Sequence, residues 1–251
     1  MDTFIITCEH GDNQIPANYR RLFRDQRALL NSHRGHDPGA LVMATALADT
    51  FEAPLVASTT SRLLVDLNRS IGHRQLFSSV TRDMPARTRA AIIEKHYRPY
   101  RAQVENLVCR AVASGDRVLH ISSHSFTGEL DGTVRNADVG LLYDPARAGE
   151  AELCAHWKRS LVSLGPELRI RRNYPYAGSG DGLTTHLRRR FTQADYLGVE
   201  LEVNQRIAVS AGPRWTALQH TLVESLRTAA AALSDPAQPH TRPIPEGNDA
   251  H

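Results

Sequence analysis

The feature that most constrains this chain is a set of short apolar runs, each ending at or carrying a tight group of polar residues. Thr3 to Cys8 is apolar and β-branched and ends at Glu9-His10-Gly11-Asp12-Asn13. A run of that length and composition predicts a buried strand closed by a loop. Arg62 to Asn68 has the same form, built on Leu63-Leu64-Val65 and running into Asp66-Leu67-Asn68-Arg69. Arg117 to Ser122 leads into Ser123-His124-Ser125-Phe126, and Tyr196 to Val203 carries Glu200 and Glu202. Pro54 to Ser58 and Asp138 to Tyr143 complete the strand candidates.

Segments with helical spacing lie between these runs. Pro38 to Phe51 follows Asp37, an N-cap type residue with proline at the first helical position. Pro85 to Ala113 places Ile92, Ile93, Tyr97, Tyr100, Val104 and Val108 on one stripe, with Pro99 as an expected kink or boundary. Glu150 to Leu164, Gly182 to Phe191 and Trp215 to Leu233 are further helices. The alternation predicts an α/β fold, a mainly parallel sheet with helices on both faces. A chain of 251 residues can bury one substantial core, so one catalytic domain is expected over 1–233. The polar, proline-rich stretch 234–251 is expected to be a disordered tail.

Composition narrows the class of function. Hydrophobic residues at 41% and charged residues at 23% exclude a disordered chain. The net charge of +3 is spread through periodic segments with no basic stripe interleaved with aromatics, so no nucleic-acid partner is expected. Three cysteines without CxxC spacing fit neither a disulfide framework nor a cysteine metal knuckle. A reducing, cytoplasmic setting is the expectation, and the N-terminus has neither the basic region nor the apolar length of a signal peptide or membrane span.

Four of the polar groups together hold the ingredients of a mononuclear zinc hydrolase: His10 with Glu9 and Asn13, Asn68-Arg69, His124, and Glu200 with Glu202. Such a site needs about three histidine or carboxylate ligands and one open position. Structural readings stand beside this one. A lone histidine among 12 is more often surface or core than ligand, and Asn68-Arg69 can cap a helix and pair with Asp66. Glu200 and Glu202, on one face of a strand, can pair with Arg188 to Arg190.

The order of these motifs resembles the N-formylglutamate amidohydrolase family. The residues that carry the resemblance are Glu9 to Pro16, Ser61 to Ser70, His120 to Phe126, Arg172 to Tyr176 with Asp181-Gly182, and Glu200 to Gln205. More distantly the plan is similar to that of zinc carboxypeptidases and aspartoacylases, which implies a three-layer α/β/α fold around a mixed, mainly parallel eight-stranded sheet. The resemblance makes His10 the first zinc ligand and His124 the last, with one zinc per chain. Where those enzymes have a ligating carboxylate, this chain has Asn13, with Glu9 as the adjacent candidate and Asp12 as a departure from the family. Asp37 is either an N-cap or a residue that orients a ligand histidine.

The same carry-over makes Glu200 the general base, with Glu202 as the alternative, and Arg62 the group that polarises the scissile carbonyl. Asn68 and Arg69 would clamp a substrate carboxylate, and Arg172 or Arg190 would meet a second one. The implied partner is a small anionic acyl amino acid, and the implied reaction is hydrolysis of N-formyl-L-glutamate to formate and L-glutamate. The alternatives are another N-acyl amino acid deacylase or carboxypeptidase-like peptide amidase, and a non-catalytic binding protein whose Asn13 reflects loss of the metal.

Overall fold

Along the chain the elements run β1 (Asp2–Cys8), α1 (Arg27–Leu30), α2 (Ala40–Thr50), β2 (Leu55–Ala57), α3 (Ala86–Ile92), α4 (Arg98–Ala113), β3 (Arg117–Phe126), β4 (Glu129–Leu130), β5 (Thr133–Val134) and β6 (Val139–Leu142). They continue with α5 (Ala148–Leu164), β7 (Ile170–Arg172), α6 (Leu183–Arg188), β8 (Tyr196–Asn204), α7 (Gln205–Ala208) and α8 (Pro213–Leu233). This computed structural model describes residues 1–233, and the tail expected over 234–251 lies outside them. No helix among the described residues is long and apolar enough to cross a membrane.

Six strands form one sheet in the order β2-β1-β3-β8-β6-β7. The first four are parallel, β6 runs antiparallel to β8, and β7 is parallel to β6. The eight strands implied by resemblance are thus six in the sheet, with β4 and β5 forming a separate antiparallel ribbon. Alternate residues of the central strands feed two cores. Ile6, Ile121, Val199 and Leu201 face α2, α5 and α8, while Ile5, Val118 and Tyr196 face α3, α4 and α6. A sheet buried on both faces between helical layers is the three-layer α/β/α arrangement.

The run from Arg62 to Asn68 is not a strand, contrary to its composition. Leu63, Leu64, Val65 and Leu67 are all buried, but in consecutive turns. Polar side chains capture the backbone that a ladder would need: Asp66 Oδ1 accepts from Asn68 N at 2.9 Å, and Ser78 Oγ donates to Leu63 O at 2.6 Å. The helix expected from Pro38 begins at Ala40, with Gly39 at φ +83° as its N-cap. A Cβ there would lie 2.5 Å from Ala208 Cβ, so the turn also requires the bare backbone. Asp37 leaves the capping role for the site. Ahead of Pro99 the long helix widens into a π turn over Ile93–Tyr97, a local adjustment to the residue that cannot donate.

Candidate active site

The site forms where β1 and β3 end beside β8. Parallel register puts Thr7 opposite Ser122, Ser122 opposite Glu200, and His124 opposite Glu202, so these side chains share one face. Glu9 continues that alternation past β1, while the loop beyond it turns His10 to the same side. The backbone bond from Asp37 N to His10 O, at 2.9 Å, brings the start of α2 alongside. The two imidazole rings then lie with centroids 5.0 Å apart.

Each histidine has its Nε2 edge held by a carboxylate. His10 Nε2 is 2.7 Å from Asp66 Oδ1. His124 Nε2 is 3.0 Å from Glu9 Oε2 and 2.9 Å from Ser122 Oγ. Ser122 donates its own proton to Glu9 Oε2 at 2.6 Å, so its oxygen is an acceptor toward the ring. With a cation on the opposite edge, the ring proton of each histidine would sit on Nε2, where the carboxylate accepts it. The opposite edges converge: His10 Nδ1 lies 3.3 Å, and His124 Nδ1 2.9 Å, from Asp37 Oδ2. Two ring nitrogens and one carboxylate oxygen therefore point at a common space. These three donors lie within 4.8 Å of one another. The set fits a divalent cation, and carboxylate acceptors behind the histidines are the usual support for such a centre.

The supports are fixed in turn. Arg62 donates to Asp66 Oδ2 from Nη2 at 2.7 Å and from Nε at 3.2 Å, and reaches Asp37 Oδ1 at 3.3 Å. Tyr100 donates to Glu9 Oε1 at 2.8 Å. Burial alone would raise all three carboxyls. His124 overrides it at Glu9, His10 and His124 at Asp37, and Arg62 with His10 at Asp66, leaving each well below the usual carboxylate range. Burial depresses His124, but Asp37 and Glu9 outweigh it and raise the ring well above its ordinary value.

Glu202 differs from these acids. It is buried, and its Oε2 has no hydrogen-bond partner among the described residues. Burial, with Asp37 and Glu200 adding to it against His124 and Arg62, pushes its carboxyl up to about 8. Glu200 is more open and accepts from Thr184 Oγ1 at 2.8 Å.

The remaining sequence candidates divide. Asn13 is directed away, donating to Leu30 O at 3.1 Å and Asn31 Oδ1 at 3.0 Å, so the convergent oxygen is that of Asp37 and not Asn13. Glu9 stands behind His124 and outside the convergent set. Asn68 accepts from Leu183 N at 2.7 Å and lies 3.4 Å from His124 Nε2. Arg69 donates to Asp181 O at 2.5 Å while its buried Nε has no partner among the described residues. Arg172 pairs in register with Leu141, which belongs to the opposite core, so it faces away from Glu200 and Glu202. Arg190 is an exposed partner of Glu105 at 2.9 Å. Arg188, offered as a partner for Glu200 and Glu202, binds buried Glu150 at 3.0 Å instead.

Sequence reasoning missed the converging role of Asp37 and the supports Asp66, Ser122 and Tyr100. Only the polar residues interrupting the apolar run at Asp66 and the His36-Asp37-Pro38-Gly39 turn signal were there to find.

Comparison with known proteins places the fold and the family. No curated protein matches in sequence. A gene product of Agrobacterium tumefaciens, known from its crystal structure, is 27% identical, with 92% of each chain covered and a TM-score of 0.79. An N-formylglutamate amidohydrolase from Ralstonia eutropha shares the fold at 19% identity and a TM-score of 0.66, over 91% of this chain and 93% of that one. The family model for N-formylglutamate amidohydrolase matches residues 2–209, nearly all of the sheet and every residue that converges on the site, and by that match the chain belongs to the N-formylglutamate amidohydrolase family.

Proposed function

We propose that this protein hydrolyses the amide of N-formyl-L-glutamate, releasing formate and L-glutamate, with one zinc ion held by His10, Asp37 and His124. The observation that carries the reading is the convergence of two Nδ1 atoms and Asp37 Oδ2, with Glu202 Oε2, unpartnered among the described residues, on the same sheet face as His124. Zinc suits a histidine and carboxylate set that leaves one position open, and there it supplies Lewis acidity and acidifies water to a pKa of about 7.

The chain's own residues do the rest. Glu202 takes the proton of the attacking water and delivers it to the amide nitrogen as the C–N bond breaks. The water oxygen goes to the formyl carbon and the proton to the departing amine. A carboxylate whose affinity for a proton lies near neutrality suits both halves of that transfer. Glu200, the residue favoured from sequence, is held by Thr184 and is the weaker candidate on this geometry. Arg62 is committed to Asp66 and Asp37, so its role is to hold those carboxylates and, through them, His10. Arg69, with a free Nε, clamps one substrate carboxylate and Asn68 braces α6 beside it.

Release of the free amino acid from a panel of N-formyl, N-acetyl and N-succinyl amino acids, with formate measured for the formyl substrates, tests the reading. N-formyl-L-glutamate is expected to be the preferred substrate, with activity lost on exhaustive chelation and restored by zinc. Undiminished turnover in the chelated protein removes the metal from the account, and release of no formate removes the reaction.

A further inference from the structure

N-formylglutamate carries two carboxylates, and Arg69 accounts for one. A second cation is required, and neither Arg172 nor Arg190 is at the opening. We infer that Arg135, oriented by Tyr176, is the specificity-determining residue that binds the second, side-chain carboxylate of the substrate. The inference rests on the substrate reading above.

Arg135 follows the β4–β5 ribbon and is tied down by its backbone N–H to Gly128 O at 2.9 Å. Its guanidinium packs over the Tyr176 ring, 5.0 Å from the centroid, and Nη1 donates to the Tyr176 hydroxyl at 3.0 Å. Both contacts are with a neutral side chain, and among the described residues no carboxylate pairs with Arg135. Arg62, Arg169, Arg188 and Arg190 each have one. A half-buried guanidinium without a counter-ion, fixed by stacking on one face, leaves its fork for an incoming carboxylate.

The tyrosine loop places this cation over the site. Gly140 pairs in register with Glu202, and a Cβ on it would meet Tyr174 O at 2.0 Å and Glu202 Cβ at 3.3 Å. The chain from Asn173 to Gly178 therefore crosses directly beside the proposed base. Asn173 Oδ1 closes that loop by accepting from Tyr143 N at 3.0 Å and Gly178 N at 3.1 Å. Tyr176, 48% exposed, stands at the rim. On the other side His33 is held below its ordinary value by burial and by Arg34, Arg135 and Arg62, with Asp37 opposing. Arg135 and Arg62 thus act on one ring that also feels the proposed ligand Asp37.

The test compares kcat/KM for N-formyl-L-glutamate and N-formyl-L-glutamine, its isostere with an uncharged side chain, in the zinc-loaded wild type, Arg135→Gln and Tyr176→Phe, with calorimetric binding of the product L-glutamate as a second readout. Removing one charge-assisted bidentate contact should lower the preference for the glutamate substrate by about 10-fold to 100-fold in Arg135→Gln, mostly through KM, and weaken L-glutamate binding alike. Tyr176→Phe, which keeps the ring and loses the hydroxyl, should move the preference the same way by a smaller factor. A wild-type preference retained in Arg135→Gln overturns the assignment. Should that variant fail to fold, an unchanged preference in Tyr176→Phe overturns it instead. A wild-type enzyme that releases formate from neither substrate defeats the functional reading and this one with it, whereas an active enzyme indifferent to glutamate against glutamine defeats only this one.

Discussion

At the scale of single residues, the two glutamates of β8 show how far neighbours decide a role. Glu200 and Glu202 share a strand face, yet Thr184 satisfies one and no described residue satisfies Oε2 of the other. Glu202→Gln should therefore retain metal and lower kcat by about 10²-fold to 10⁴-fold, the usual worth of a positioned acid-base group. Glu200→Gln should cost far less, and steady-state kinetics with metal content measured on both proteins decides between them. Inactivity of the Glu200 variant alone, with its metal retained, restores the order of preference that the sequence suggested. That order was not legible because alternation along a strand fixes a shared face and is silent about which neighbour reaches each carboxylate.

At the scale of elements, buried charge pins the helices to the sheet. Glu150 on α5 is fully buried and takes Arg188 Nε at 3.0 Å, while Arg188 also donates to Gly178 O and Gly198 O. Arg188→Ala leaves buried Glu150 with Arg147, at 3.3 Å, as its remaining cation and should cost about 3 kcal/mol in urea unfolding, the lower end for breaking a buried pair. Arg190→Ala, removing an exposed pair with Glu105, should stay within roughly 0.5 kcal/mol. Equal costs for the two would contradict this division. Within β3, His120 is fully buried between Thr7 and Tyr196, at 2.9 and 2.6 Å. Burial, against the charge of Glu9, lowers its pKa to about 4. The unfolded ring binds a proton at about pH 6.5, so the folded state loses stability as pH falls from there toward 4, at up to about 1.4 kcal/mol per pH unit. His120→Gln should flatten that part of the stability profile relative to wild type, and an unchanged slope would show that the ring titrates as in solvent.

Elements were legible where one physical signal ruled. β-branched runs predicted β1 and β8 closely and β3 only as far as Ser122, four residues short of its end at Phe126, and the 3.6-residue stripe predicted α4, α5 and α8. The run at Leu63 to Leu67 misled because apolar composition reports burial, whereas Asp66 and Ser78 decide what the backbone bonds to. β7 is too short, at Ile170–Arg172, for a period-2 pattern to register.

At the scale of the whole molecule, the site is an assembly of residues far apart in sequence: His10 and Glu9 after β1, Asp37 before α2, Asp66 in the turns beyond β2, Ser122 and His124 on β3, Glu202 on β8. Sequence order with family resemblance was enough to nominate both histidines and both glutamates. The third convergent donor was not, because Asp37 carries an equally good local explanation as a helix cap. Only the sheet, by setting β1 beside β3, turns its carboxylate toward the two rings. Elemental analysis of purified wild type, Asp37→Ala and Asn13→Ala tests this most directly: about one zinc per chain is predicted for wild type and Asn13→Ala, with loss of the metal from Asp37→Ala. Full zinc in the Asp37 variant, or its loss from the Asn13 variant, would contradict the account.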